Sequence, residues 1–570
     1  MTTTDRPRLV ARRVGLSSLL LLVSVSWLPA QERAQEPAQG LGRIQFPTSA
    51  RSADAQEAFV RGVLLLHSFE YEDARDEFRA AQKHRRDFAM AYWGEALTFH
   101  HPIWKREEAD QARKALAKLG PTPAARRAKA PTDKEKAWLG TVEVLFGEGT
   151  RRQRWTGYSA ALGRLHQRYP EDVEVAALYS LSVLGTSFDG RDFRIYMRAA
   201  GIAQPFYRRH PDHPGLLHYL IHCYDDPVHA PLGLPMARRY DKVAPAAGHA
   251  LHMPSHIYVA LGMWKESVRS NVASFAAGDA RWQRKKLGVD ARNWHACQWL
   301  AYSHLQRGQV KAAARLLQEV KADNRKSKTK RMRKHLVWMR AAYLVDTAWT
   351  HPPGQVEVDL KGLYRSVVAA DHFVRGMAAL ARDDVAAAKQ HLAAVNAIAP
   401  ASLVVEAGAG SVGGDASCCL PSGERPESVQ GLLVARTVVA QLEAALALHD
   451  GRGDEALLKM QAACKHADTM TFDFGPPLVV KPAHEQLGEH LLSVGKPAQA
   501  EKEFLAALER GPRRARSLLG LARALRAQGK AKTAQARAVY QELARIWGNA
   551  DVDLPGLGEV RREAGSGKER

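Results

Sequence analysis

Two short stretches carry histidines at a spacing that can do chemistry. His218-Tyr-Leu-Ile-His222 and His252-Met-Pro-Ser-His256 each hold two imidazoles four residues apart, which puts both on one face of a helix. Neutral imidazole is the commonest protein ligand for zinc and copper, and a pair at i, i+4 suits one ion. The pairs are offset by 34 residues. Four imidazoles on neighbouring helices, whose axes pack roughly 8–10 Å apart, could therefore converge on one point. His249, His229 and His295 are further candidate ligands, and Asp225 and Asp226 could orient the rings or add a ligand. An imidazole set with no paired carboxylate favours Zn, Cu or Ni over Mg or Ca. A hydrolase built on it would need an open coordination position and a general base. A copper oxidase would need two ions and about six histidines, which His249 with His295 or His229 would complete.

Neighbouring residues limit this reading. Cys223 adjoins His222 but points about 100° away around a helix. Pro254 lies inside the second pair, and proline within a helix costs roughly 3 kcal/mol, so a helix starting there would loosen the His252–His256 geometry. His484-Glu485 followed by His490 is not HExxH, because the six-residue gap turns the second histidine to another face. No phosphate-binding glycine loop, dinucleotide fingerprint, GxSxG, CxxC or CxxCH is present, so those nucleotide, serine-hydrolase, redox and haem motifs give no support to such functions.

The elements that must position the histidines are helices. Gly62, Ala74, Phe78 and Ala81 recur at the same spacing as Gly488, Ala500, Phe504 and Ala507, closed by Pro512. These residues resemble the tetratricopeptide repeat (TPR), a 34-residue helix pair with small residues at the helix contact and an aromatic wedge. Looser copies start at Trp93-Gly94, at Ser255, Gly262 and Ser267, at Ala301, Gly308, Ala313 and Leu317, and at Gly376, Ala388, Leu392 and Pro400. The fold expected is all-α, a TPR-like α-solenoid of antiparallel helix pairs. In this frame Ser255 is position eight, so His249, His252 and His256 take groove-facing positions two, five and nine. His218 and His222 take five and nine of the preceding unit, and His67 and Tyr302 are further groove residues. The stretches Ala89-Met-Ala-Tyr-Trp-Gly94, His100-His101-Pro102, His213 to His222 and Ala244 to Trp264 resemble a broad group of exported bacterial TPR proteins without an established activity.

Domain organisation follows from composition. Residues 1–30 read as a signal peptide, with Arg6, Arg8, Arg12 and Arg13 before an apolar run from Gly15 to Trp27; an uncleaved anchor is the minor alternative. A flexible leader covers 31–50, an N-terminal array 51–400, a Gly/Ser-rich linker 401–428, a C-terminal array 429–550 and a polar tail 551–570. No later stretch reads as the ~18 apolar residues of a membrane span. Residues 120–134, with three prolines, and Pro352-Pro353 read as breaks. Five cysteines, including adjacent Cys418 and Cys419, give no regular disulfide framework.

The net charge of +22 admits an envelope polyanion as partner. The densest basic run, residues 321–334, lacks the interleaved aromatics of a nucleic-acid binder. The function expected is an exported, periplasmic or extracellular scaffold that binds a protein or peptide in its concave groove. The alternative is a Zn or Cu metalloprotein built on the histidine pairs.

Overall fold

The computed structural model describes residues 40–349, 357–400, 429–472 and 474–565. Successive helices pack on one another as pairs through most of this length, and the only strands among the described residues are two-residue segments, His100–His101 against Arg106–Glu107. The chain is an all-α, TPR-like solenoid. Local sequence starts many helices. Ser52 caps Ala53–His67 by accepting from Ala55 N, Thr132 and Glu135 form a reciprocal capping box, and Asp172 accepts from Glu174 N and Val175 N. Each satisfies backbone N–H groups that the first turn leaves without partners.

The repeat spacing explains the packing. Phe78, on Tyr71–His84, wedges between Ala53–His67 and Ala89–Leu97. A Cβ at Gly62 would lie 2.7 Å from the Phe78 ring, and one at Gly94 only 2.3 Å. Phe504 makes the same wedge between Gly488 and Gly520. Ala74, Ala81, Ala500 and Ala507 are buried beside these rings.

Helices on either side of 401–428 contact directly, Val429–His449 lying against Arg365–Leu380 and Val385–Ile398. The C-terminal part also folds back on the middle of the chain. Trp264 Nε1 donates to Arg513 O at 3.0 Å, and Trp547 Nε1 to Gln306 O at 3.2 Å. This placement brings two distant segments into one apolar core, a relation that repeat spacing alone does not encode.

Three local expectations change. The proline-rich stretch at 120–134 contains a short helix, Pro123–Ala128, capped by Thr122. Val429–His449, with 21 residues and a mean hydropathy of 1.6, is the one described helix long and apolar enough to cross a membrane; its apolar residues are mostly buried against neighbouring helices. The basic run straddles the junction of two helices, and Arg333 and Lys334 within it are buried. Cys223, Cys297 and Cys464 are buried free thiols. Residues 1–30, expected as a signal peptide, the expected linker 401–428 with Cys418-Cys419, and Pro352-Pro353 lie outside the described residues.

Candidate metal centre

Helix Pro214–Tyr224 is buried along its whole length and carries His218 and His222 one turn apart. Its start is fixed by His213, whose Nδ1 accepts from Leu216 N at 3.2 Å, and by Pro214 at the first helical position, where the missing N–H costs nothing. The second pair spans two short helices, Gly248–His252 and Pro254–Ala260. Met253 between them keeps helical dihedrals (φ −53°, ψ −36°), so Pro254 interrupts the hydrogen-bond ladder without redirecting the chain. Ser270 Oγ donates to Leu251 O at 2.6 Å within this interrupted turn. His295 enters from the first turn of Trp294–Gln306, capped by Asn293.

The histidines gather, but not at one point. His218, His222 and His249 form one set, and His252, His256 and His295 a second, with ligand atoms in each set within 4.8 Å of one another. Where His218, His222, His252 and His256 were expected to converge, the rings group as two sets of three. Each helix-borne pair is completed by a histidine outside its own pair: His249, one turn before His252, closes the first set, and His295 the second. The sets adjoin, with ring centroids 5.4 Å apart for His222–His256 and 6.0 Å for His249–His252.

Hydrogen bonds fix which nitrogen each ring presents. His218 Nδ1 donates to His67 O at 2.6 Å. His222 Nδ1 and His256 Nδ1 donate to the same Asp225 oxygen, Oδ2, at 3.1 and 2.9 Å. His252 Nδ1 donates to Asn271 Oδ1 at 2.7 Å, and Asn271 is oriented by its own Nδ2 donating to Ser267 O at 2.9 Å. All four Nδ1 atoms face oxygen acceptors, so the four Nε2 atoms carry lone pairs. His252 Nε2 and His256 Nε2 face each other at 3.2 Å. In the first set, the Nε2 atoms of His218, His222 and His249 are buried without a hydrogen-bond partner. Buried orphan acceptors are costly, and two facing lone pairs repel unless a cation lies between them. Ligand bonds of ~2.0–2.1 Å in tetrahedral geometry would hold two nitrogens about 3.3 Å apart.

A proton is a poor candidate for that cation. Burial lowers the basicity of His222 to a pKa of about 4 and pushes His218, His252 and His295 well below the ordinary value, neighbouring histidines adding to the effect. Burial also lowers His256, partly offset by Asp225. Burial alone would raise the Asp225 carboxyl, but the Arg191 guanidinium and the bonds from His222 and His256 hold it far below the usual carboxylate range. Arg191 pairs with Asp225 Oδ1 and, at 2.9 Å, with Asp226 Oδ2. One ion-pair cluster thus anchors rings from both sets.

Aromatic side chains enclose the rings. Phe69 covers the first set, 4.2 Å from His218 and 5.6 Å from His249. Trp299 lies 4.6 Å from His256 and 4.8 Å from His252, and Phe474 lies 4.9 Å from His256. Beside His295 opens a cleft of about 50 Å³, walled by Trp299, Tyr302, Trp338, Phe474 and Leu478.

Other sequence candidates fall elsewhere. His229 stands apart from both sets: its Nδ1 donates to Asp226 at 3.0 Å, beneath the ring of Phe193. His67 does not line a groove; it is fully buried, taking Tyr219 on Nδ1 and Glu174 on Nε2, both at 2.8 Å. With His213 Nε2 donating to Glu174 at 2.9 Å, that cluster is satisfied by its own bonds and supports His218 from behind. Tyr302 is also buried yet borders the cleft. His100 and His101 sit in the short hairpin and belong to neither set. His484 is held between Glu503 (2.6 Å) and Asp468 (3.0 Å), near Cys464; His490 is in neither set.

Sequence reasoning missed Asn271, Phe69, Trp299 and Phe474. Trp299 stands four residues after His295, the spacing of the histidine pairs, and that spacing could have marked it; Asn271, Phe69 and Phe474 stand at no such interval from the histidine pairs.

No family model and no curated protein matches the chain. Among solved structures, a monomeric mutant of IFIT1 with Gppp-AAAA aligns at 12% identity, covering 83% of this chain and 89% of that one, with a TM-score of 0.35. The Cut9–Hcn1 hetero-tetramer of the APC/C aligns at 9% identity over 89% and 76%, TM-score 0.31. Yeast Tom70 aligns at 10% over 90% and 95%, TM-score 0.29. At such low similarity the fold assignment rests on the chain's own helix-pair packing.

Proposed function

We propose that this protein is a metalloprotein that holds two copper ions, one in each three-histidine set. The observation that carries the reading is the His252–His256 contact. Both rings spend their Nδ1 proton on a fixed acceptor, so bare nitrogens meet at 3.2 Å in a buried site. The three orphaned Nε2 atoms of the other set support it independently.

Charge favours copper. The ligands are neutral imidazoles, and Arg191 balances one of the two adjacent carboxylates, Asp225 and Asp226. At any given separation two divalent ions repel each other about four times as strongly as two monovalent ions. Imidazole suits zinc, copper, iron and nickel, and of these copper has the accessible monovalent state. Three protein ligands leave each ion an open coordination position, the arrangement of catalytic sites. Exported location, as read from the N-terminal sequence, suits a copper protein but is independent of this geometry.

The test is metal counting on the full chain, purified without chelator and reconstituted anaerobically with Cu(I). Two coppers per chain are expected, falling to one in His218→Ala and to one in His295→Ala, and unchanged in His490→Ala. Reconstituted wild-type protein that keeps no copper, while still helical by circular dichroism, defeats the reading. A scaffold role through the solenoid, which the fold class alone suggests, would then be the reading to pursue with partner-capture experiments.

A further inference from the structure

The cleft beside His295 says what the centre would act on. Its walls are aromatic and apolar, and none of its lining side chains is charged. His295 is both a member of the second set and a wall of this cleft. A flat ring seated there would lie beside an ion held by His252, His256 and His295. Phe69 roofs the first set, and of the six rings only that of His295 lines this cleft.

The slot is built by a backbone contact that only glycine permits. Gly475 has φ +92°, and a Cβ there would stand 2.2 Å from Trp299. The segment after it lays Pro476, Pro477 and Leu478 along the cleft, opposite Trp338. Gln298 supplies a polar handle: its Oε1 accepts from His335 Nδ1 at 2.7 Å, so its amide N–H groups are what remain to bind a hydroxyl.

We propose that the paired sites form a single dioxygen-reducing centre and that this cleft admits a catechol as the reductant. The inference rests on the two-copper reading above. Two adjacent Cu(I) ions can deliver two electrons at once, which matches the two-electron steps of both partners. Each catechol gives up two electrons and its two O–H protons, breaking those O–H bonds and leaving as an ortho-quinone. Two catechols together supply the four electrons and four protons that cleave the O–O bond of one dioxygen to two waters, and the copper ends in its starting state. A neutral, planar, electron-rich ring is the shape and polarity that Trp299, Trp338 and Gln298 accommodate.

The experiment uses the full chain loaded anaerobically with Cu(I), its copper counted, then mixed with catechol in air-saturated buffer. Oxygen uptake is followed by electrode and quinone by absorbance. Expected are two quinones per dioxygen consumed, at a rate well above that of the zinc-loaded protein and of His295→Ala. Ala342→Phe, which narrows the cleft without touching either histidine set, should keep both coppers and lose about tenfold or more in kcat/KM for catechol. Two bound coppers with quinone forming only at the buffer rate would overturn the inference and leave the metal reading standing. A chain that keeps no copper removes both. Wild-type kcat/KM in Ala342→Phe would reject the cleft as the entry.

Discussion

His222 and His256, on helices 34 residues apart in sequence, donate their Nδ1 protons to the same oxygen of Asp225, at 3.1 and 2.9 Å. One carboxylate thus aims a ring in each histidine set, and Arg191 fixes that carboxylate from the other side. The two sets are mechanically linked through a residue that touches neither lone pair.

Asp225→Asn should therefore weaken metal binding in both sets, by about 10–100-fold as for other residues that orient ligands. Asn271→Ala, which frees only His252, should weaken one of the two. Competition with a calibrated copper chelator separates them; equal losses in the two variants would contradict the shared role of Asp225.

Metal loading should stabilise the chain. If the ions bind the folded state alone, copper at a hundredfold excess over Kd adds about 2.7 kcal/mol per site. Thermal unfolding followed by circular dichroism, with and without a chelator, measures this. His218→Ala and His295→Ala should each retain only part of the shift.

The repeat wedges should be intolerant of side chains. Gly94→Ala and Gly520→Ala would put a Cβ within 2.3 and 2.2 Å of Phe78 and Phe504, and such overpacking typically costs ~1–3 kcal/mol. Phe78→Ala should cost more, about 3–5 kcal/mol, by leaving a cavity. Urea midpoints check both, and an unchanged midpoint in Gly94→Ala would mean that the Phe78 ring swings aside.

His484 should make the chain sensitive to base. Hydrogen bonds to Cys464 and Glu503 raise its pKa from 6.5 to about 11 against the opposing effect of burial. A folded value above the unfolded one gives stability that is complete below pH 6.5 and lost as pH rises toward 11. Because Glu503 and Asp468 reach solvent, screening limits the effect to about 1–2 kcal/mol. Wild type should lose this increment between pH 7 and 10 in denaturant titrations, and His484→Gln should not.

The sequence by itself determined the class of fold and marked the two histidine pairs. Gly62, Phe78 and Ala81 announce their roles because a helix–helix contact demands small residues at fixed intervals, and that demand is local. The histidine pairs are legible for the same reason: four residues make one helical turn, and 34 residues bring that turn back to the same face. Tertiary structure alone decided how the histidines divide. His249 lies against His218, with ring centroids 5.0 Å apart, and His295 against His252, at 4.4 Å, so each set is closed across two neighbouring helical segments. His229 drops out of both sets, its Nδ1 bonded to Asp226, and His67 drops out because Glu174, over a hundred residues distant, claims its Nε2. Asp225 as a shared orienter, Asn271 as a fixed acceptor and the Phe474 wall depend on contacts to His256, His252 and His256 that lie 31, 19 and more than 200 positions away in sequence. Periodicity is a property of one helix, whereas proton placement and enclosure belong to the packing of several.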